Sequence, residues 1–160
     1  MIELATPTLL QRTVVCPDPA ATTALGLGLG AVARAGDLVC LWGELGAGKT
    51  HLAKAFGAAL GVTETITSPS FILMAEYQGR LPLFHVDPYR LAGAEDALQG
   101  GLLDERQSTG VTLVEWPERL GEALPPDRLD VRILGSGDEP RSITLEATRD
   151  RYRHYLEAVA

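Results

Sequence analysis

The residues from Gly43 to Thr50 read GELGAGKT and match the phosphate-binding pattern G-x-x-x-x-G-K-S/T in full. Glycines in such a loop let the backbone curl, so that consecutive N–H groups point at phosphate oxygens. Lys49 is placed to reach the β- and γ-phosphates, and the hydroxyl of Thr50 is placed to ligate Mg²⁺. The motif therefore predicts a site for a nucleoside triphosphate with magnesium. The expected phosphate contacts come from Gly43, Gly46, Ala47, Gly48, Lys49 and Thr50.

Two acids that end apolar strands are candidates to complete this site. Asp87 ends the run LPLFHVD, and Glu115 ends the run VTLVE. Because ligands bind at the carboxyl edge of a parallel sheet, both acids are expected near the phosphate loop. A P-loop nucleotidase needs such a carboxylate for Mg²⁺ or its water, and the spacing leaves open which acid does which. His85 alternates with Asp87 along the strand, so both face one side, and His85 is interpreted as a support for the site.

Three more side chains lie near these strands, and two of them, Arg90 and Trp116, have two interpretations each. Arg90 is either an anion contact or an ion-pair partner within the domain. Trp42 and Trp116 flank the two key strands. Their default interpretation is core packing, and Trp116 is also placed to cover the site.

Composition limits the class of protein. The 160 residues fit one domain over 1–160, and 46% hydrophobic residues with 22% charged residues exclude wholesale disorder. The net charge of −7 argues against a protein that covers a long stretch of nucleic-acid backbone, since such proteins are usually basic. Cys16 and Cys40 are too few for a disulfide framework or a zinc site, which suits a reducing cytosol. There is no signal-like N-terminus and no run of about 18 apolar residues, so we expect a cytoplasmic protein.

The hydrophobic pattern predicts the elements that position these residues. A strand over Leu38–Trp42 precedes the phosphate loop, and a helix with an apolar stripe, ended by Gly61, follows it. The predicted fold class is α/β: a single-domain P-loop NTPase-like sandwich with a mostly parallel sheet, antiparallel strands at one side and helices on both faces. The other predicted strands cover 11–16, 71–77, 81–87, 111–115, 130–134 and 142–147, and the other predicted helices cover about 20–34, 93–106 and 150–159.

Four sequence blocks resemble one known family. GELGAGKT is followed by SPSF (68–71), HVDPYRL (85–91) and VEWPERL (114–120), in the order found in TsaE, the bacterial ATPase of tRNA threonylcarbamoyladenosine biosynthesis. The resemblance spans about residues 20–120 and is weaker beyond. The HxDxYRL and EWPE blocks are rarely found together elsewhere, so they are more specific than the phosphate loop. The family usually has Asp where Glu44 stands and SPTF in place of SPSF, and both departures preserve the chemistry.

The resemblance implies a small ATPase that acts with two partner proteins, TsaB and TsaD. Those partners would transfer threonylcarbamoyl to adenosine 37 of tRNAs that read ANN codons, and ATP hydrolysis here would reset the complex between turnovers. Contact with tRNA would be indirect, through the complex. By the family pattern Thr50 and Glu115 coordinate Mg²⁺, and Thr22 lies near the nucleotide. Asp87 would be needed for hydrolysis, by positioning either water or the metal shell. The expected catalytic residues are Lys49, Asp87 and Glu115.

Two other functions stay open. A small-molecule P-loop kinase generally has a lid with several arginines, and Arg149, Arg151 and Arg153 cluster near the C-terminus, although that stretch is typical of a solvated helix face. A nucleotide-dependent binding module would use ATP only to order an interface.

The sequence has no N-K-x-D guanine-recognition motif, which argues against a GTPase. No basic cluster suggests an arginine finger in cis, so we expect slow turnover alone and faster turnover with partners. SPSF lies where switch segments of nucleotide-binding proteins lie.

Overall fold

The computed structural model describes residues 10–67, 74–89 and 105–159. Its strands are β1 (Leu10–Cys16), β2 (Leu38–Trp42), β3 (Met74–Tyr77), β4 (Leu83–Val86), β5 (Val111–Glu115), β6 (Leu129–Leu134) and β7 (Arg141–Ala147). Its α-helices are α1 (Pro19–Ala31), α2 (Lys49–Ala59) and α3 (Arg153–Ala158). Short 3₁₀ helices cover Glu105–Thr109, Pro117–Ala123 and Asp150–Tyr152.

The elements predicted beside the phosphate loop are confirmed. β2 has the predicted bounds, and α2 follows the loop directly and ends before Gly61. The predicted C-terminal helix divides into a 3₁₀ turn and α3. Three predictions lie outside the described residues: the SPSF segment, Arg90 and most of the helix over 93–106.

All described strands form one sheet in the order β1-β7-β6-β2-β5-β4-β3. The central strands β6, β2, β5 and β4 are parallel, so their carboxyl ends meet at one edge. This confirms the α/β class with a mostly parallel sheet. Antiparallel pairing occurs at both edges, whereas the sequence predicts it at one side: β7 is antiparallel to β1 and β6, and β3 to β4. The reason is the short connection between Tyr77 and Leu83, which permits only an antiparallel pair.

Burial along the strands follows their places in the sheet. In the central strand β2, residues 38–41 are buried, because both faces of the sheet are covered there. Along β7, next to the edge, buried and half-buried residues alternate. On one face the core includes side chains of α1, α2 and α3, and on the other Leu120 of a 3₁₀ helix packs on Cys40, Val86 and Val114.

The glycines of α1 allow it to pack closely on α2. A Cβ atom built on Gly26 would lie 2.7 Å from the Cβ of Ala55, and one built on Gly30 would clash with the carbonyl of Phe56. Glycine weakens a helix by about 1 kcal/mol relative to alanine. Here that cost is offset by the burial of Leu25 and Leu29 of the same helix in the core.

A buried carboxylate anchors the amino end of β2. Asp37 accepts hydrogen bonds from the main-chain N–H of Arg34 (2.9 Å), from Arg151 Nη2 (3.0 Å) and from the Tyr155 hydroxyl. Burial, together with the neighbouring Asp37, raises the pKa of the Tyr155 hydroxyl, which keeps it a donor. These bonds attach the C-terminal segment to the sheet edge opposite the phosphate loop.

Tyr155→Phe is expected to lower the free energy of unfolding by about 2 kcal/mol, because it removes a donor from the buried Asp37 carboxylate. Urea unfolding at neutral pH measures this change. The control is Arg153→Gln, which breaks an exposed ion pair to Asp150 (2.8 Å) and should cost less than about 0.5 kcal/mol. Equal losses in the two variants would contradict the role assigned to Tyr155.

Candidate nucleotide-binding site

The phosphate loop lies at the carboxyl end of β2. Gly46 and Gly48 have φ values of 83° and 104°, in a region that residues with side chains rarely adopt. A Cβ atom on either glycine would meet nothing within 4 Å, so the space beside them is open. α2 begins at Lys49, and no side chain caps its first turn. The loop and the helix start therefore leave main-chain N–H groups available to an anion.

Lys49 is held between the loop and an aromatic ring. Its Nζ donates to the carbonyl oxygen of Gly43 (2.6 Å) and lies 3.3 Å from the centre of the Trp116 ring. Burial lowers the pKa of the ammonium from its ordinary value, while the carboxylates of Glu115 and Glu118 oppose that shift. Trp116 has φ of 53°, which is uncommon for a residue other than glycine. Both contacts of Lys49 can be exchanged for phosphate oxygens.

A threonine and a histidine converge on one buried carboxylate. The Thr50 hydroxyl donates to Glu115, at 3.0 Å from Oε1 and 3.1 Å from Oε2. His85 Nε2 lies 2.6 Å from Oε2 of the same carboxylate. A carboxylate only accepts hydrogen bonds, so the proton of this bond belongs to Nε2. Glu115 is 3% exposed and His85 is fully buried, so the carboxylate is held in one place.

These oxygens suit a magnesium ion that arrives with a nucleotide. Thr50 and Glu115 offer a hydroxyl and a carboxylate, the hard oxygen donors that Mg²⁺ prefers. Within residues 10–67, 74–89 and 105–159, no group of three His, Cys, Asp or Glu side chains could enclose a metal. Mg²⁺ usually takes one or two protein ligands and completes its shell with water and substrate phosphates. The donors present fit that arrangement.

Asp87 shares a cavity with these residues. It follows β4, is 2% exposed, and accepts a hydrogen bond from the main-chain N–H of Tyr89 (3.1 Å). The cavity has a volume of about 510 Å³, and Lys49, Thr50, Asp87 and Glu115 are among its lining residues. All the expected catalytic residues therefore line one space.

A second cavity adjoins the first. It has a volume of about 350 Å³ and shares Gly48 and His51 with the first cavity. Ala47, Thr22 and Arg141 are among its other lining residues. Thr22 and the phosphate-loop residues Ala47 and Gly48 thus line one cavity. The volume lies in the usual range for a small-ligand site.

Comparisons with known proteins assign this arrangement to a family. Residues 16–143 match the family model described as "Threonylcarbamoyl adenosine biosynthesis protein TsaE". The chain belongs to the TsaE family. The resemblance seen in the four sequence blocks is therefore confirmed, and the matched range 16–143 spans the positions of the predicted site residues.

Individual TsaE proteins are similar over most of their length. The tRNA threonylcarbamoyladenosine biosynthesis protein TsaE of Bacillus subtilis (strain 168) is 40% identical over 144 residues, which cover 89% of this chain and 90% of the relative. The protein of the same name from Streptomyces coelicolor is 43% identical over 135 residues, with coverages of 80% and 91%. The crystal structure of Bacillus subtilis YdiB superposes with a TM-score of 0.78 at 36% identity and covers 96% of this chain and 97% of its own.

Among the candidate site residues of this TsaE-family chain, two contacts are not predicted by the sequence. The first is the bond between His85 and Glu115, because the alternation of His85 with Asp87 indicates a shared side but not a partner on another strand. The second is the packing of Lys49 on Trp116, which depends on the uncommon backbone conformation of Trp116. The sequence predicts only that Trp116 is placed to cover the site, and Trp116 does line the 510 Å³ cavity.

Two of the C-terminal arginines, Arg151 and Arg153, make contacts away from the TsaE-family site. Arg151 donates to Asp37, which precedes β2, whereas the phosphate loop follows β2. Arg153 pairs with Asp150 in the same turn. These two side chains are therefore structural and do not form a lid over the phosphates. No helix among the described residues is long and apolar enough to cross a membrane.

Proposed function

We propose that this TsaE-family chain is the magnesium-dependent ATPase subunit for threonylcarbamoylation of adenosine 37 in tRNAs that read ANN codons, and that it acts with TsaB and TsaD. The hydrogen-bonded pair of Thr50 and Glu115 beside an open phosphate loop carries the proposal. A glycine-rich turn with only a structural role would need no carboxylate buried against its threonine, because burying a charge is costly. A metal ion bound together with a triphosphate would compensate the charge of the buried Glu115 carboxylate.

The loop and Lys49 bind the phosphates. Main-chain N–H groups at Gly46 and at Gly48–Thr50 would surround the phosphate oxygens, whereas that of Ala47 donates to the carbonyl oxygen of Glu44 (3.0 Å). The ammonium of Lys49 would neutralise the charge that develops on the phosphates during hydrolysis. To do so, Lys49 exchanges the Gly43 carbonyl and the Trp116 ring for phosphate oxygens. Its buried position means that this charge acts with little screening by water.

Glu115 and Asp87 have different roles in the proposed reaction. Thr50 and Glu115 hold Mg²⁺, which when bound neutralises charge on the phosphate oxygens. His85 fixes the orientation of Glu115 through its Nε2 proton, as outer-shell partners of metal ligands commonly do. Asp87 lines the same cavity, and we propose that it positions the attacking water.

The second cavity receives the nucleoside part of ATP. It adjoins the phosphate loop at Ala47 and Gly48, so a ligand whose phosphates occupy the loop extends into it. Thr22 lines the cavity and offers a hydroxyl for a polar contact to the nucleotide.

Charge supports an indirect contact with tRNA. The net charge of −7 opposes binding to the phosphate backbone, so TsaB and TsaD are the components expected to hold the tRNA. The purified chain is expected to hydrolyse ATP slowly and to turn over faster in the complex. Turnover of the isolated chain at tens per second would contradict this gating by partners.

Reconstituted tRNA modification over several turnovers tests the proposal. With TsaB, TsaD, tRNA, ATP and Mg²⁺ present, repeated modification should require this chain. Lys49→Ala and Glu115→Ala should lower hydrolysis by at least about 10²-fold and should prevent repeated modification. If variants that have lost ATP hydrolysis still supported repeated modification, the result would favour a nucleotide-dependent binding module. Modification that proceeds equally well without the chain would overturn the proposal.

Tryptophan fluorescence is expected to report nucleotide binding. The chain has two tryptophans, so Trp42→Phe leaves Trp116 as the sole emitter. ATP with Mg²⁺ should change the emission of Trp116, because Lys49 leaves the face of its ring. The matched control, Trp116→Phe, keeps Trp42, whose Nε1 donates to Asp130 (2.8 Å), and should show a much smaller change. A response carried by Trp42 alone would refute the expected movement of Lys49.

A further inference from the structure

Arg141 contacts the phosphate loop from the neighbouring part of the sheet. It is the first residue of β7, and because β7 is antiparallel to β6, it lies at the same edge as the loop. Arg141 Nε donates to the carbonyl oxygen of Ala47 (2.9 Å), and Nη2 lies 3.4 Å from the carbonyl oxygen of Gly46. Both acceptors are main-chain atoms of the phosphate-binding motif.

The same guanidinium also holds the connection between β6 and β7. Nη1 donates to the carbonyl oxygen of Glu139 (2.5 Å), and Nη2 donates to that of Gly137 (3.1 Å). Arg141 and Ala47 are 94 positions apart in the sequence, so this side chain joins two distant segments. Both segments line the 350 Å³ cavity beside the phosphate loop.

The carbonyl oxygens of Gly46 and Ala47 need a hydrogen-bond donor from outside the phosphate loop. A phosphate loop directs its N–H groups toward the ligand, so some of its carbonyl groups must find donors elsewhere. In the described ranges of the chain, no carboxylate lies within 4.0 Å of the Arg141 guanidinium, and its bonds go to carbonyl oxygens instead. Its positive charge also lies beside the site and favours an anion in the loop.

We propose that Arg141 is a positioning residue that holds the nucleotide-free phosphate loop in the shape that receives a triphosphate. The inference rests on the proposed binding of ATP. A loop that is already ordered loses less conformational entropy on binding, so Arg141 increases affinity and leaves the chemical step almost unchanged. Arginine suits this task, because its planar group has five donors in fixed directions, whereas lysine has three donors on one nitrogen.

Hydrogen exchange in the nucleotide-free chain tests the positioning directly. Amides of residues 44–50 should exchange at least about fivefold faster in Arg141→Met than in the unaltered chain, with Arg141→Lys between them. The control is Arg132→Met on the neighbouring strand β6, because Arg132 pairs with Glu146 (3.2 Å) and lies over the Trp42 ring. Its exchange at residues 44–50 should be unchanged. Equal exchange rates at residues 44–50 in Arg141→Met and the unaltered chain would overturn the inference. If Arg141→Met does not fold, the same comparison is made with Arg141→Lys.

Calorimetry and steady-state kinetics with ATP and Mg²⁺ test the consequence. The dissociation constant should rise about tenfold in Arg141→Met, and kcat in the complex should stay within about twofold. A fall in kcat with an unchanged dissociation constant would overturn the inference. If the unaltered chain binds no ATP, the proposed function fails, and hydrogen exchange still decides separately whether Arg141 orders the loop.

Discussion

Lys49→Ala is expected to lower kcat/KM for ATP by about 10²–10³-fold, which corresponds to ~3–4 kcal/mol of transition-state stabilisation. The ammonium of Lys49 is buried beside the loop, so water screens its attraction to the phosphates only weakly. No other lysine lies within the motif. Steady-state hydrolysis in the complex with TsaB and TsaD, together with calorimetry of ATP binding, measures the loss. The variant should fold, because it removes a buried cation instead of a core side chain.

Lys54→Ala provides the matched control for this prediction. Lys54 is the only other lysine of the chain, and it lies on the same helix with an exposed side chain. Its removal subtracts the same charge from the protein, so kcat/KM should change less than about twofold. If the two variants lost activity equally, a general effect of net charge would explain the result, and the assignment of Lys49 to the phosphates would be wrong.

Glu115→Gln is expected to lower hydrolysis by about 10²–10³-fold and to raise the Mg²⁺ concentration needed for half-maximal rate. The substitution keeps the shape of the side chain but removes the negative charge beside Thr50, and an amide oxygen is a weaker ligand for Mg²⁺. The experiment is a titration of the hydrolysis rate with Mg²⁺ at fixed ATP. A variant with unchanged Mg²⁺ dependence would show that Glu115 does not hold the metal.

Two further variants sharpen this result. Glu122→Gln removes an exposed carboxylate just beyond the same strand and should leave both rate and Mg²⁺ dependence unchanged. Asp87→Asn distinguishes the two roles that the sequence leaves open for this acid. A large fall in kcat with an unchanged Mg²⁺ requirement is expected, because Asp87 is assigned to the water. A shift in Mg²⁺ requirement like that of Glu115→Gln would assign Asp87 to the metal shell instead.

The phosphate loop and its flanking elements could be predicted because their signals are local. A continuous apolar run predicts β2, an apolar stripe predicts α2, and the motif between them fixes where a triphosphate would bind. The same holds for Asp87 and Glu115, since each ends an apolar strand and parallel strands present their carboxyl ends at one edge. The motif blocks were specific enough to predict the TsaE family.

Other features depend on segments that are far apart in the chain. The glycines of α1 weaken the helix prediction, and only the close approach of α2 explains Gly26 and Gly30. The antiparallel strand at the second edge follows from the short connection between β3 and β4, whereas the predicted sheet has antiparallel strands at one side only. Arg141 gave no signal, because its bonds to the phosphate loop cross 94 positions of sequence.

The sequence by itself determined the family and the local elements of the candidate site, since the residue types and spacing within one loop match a phosphate-binding pattern. Only the tertiary structure decided which donors act together: His85 on Glu115, Lys49 on Trp116, and Arg141 on the carbonyls behind the loop. The physical reason is the range of each interaction. Backbone conformation and hydrophobic period are set by neighbours in the chain, whereas a hydrogen bond between strands requires the sheet order that folding establishes.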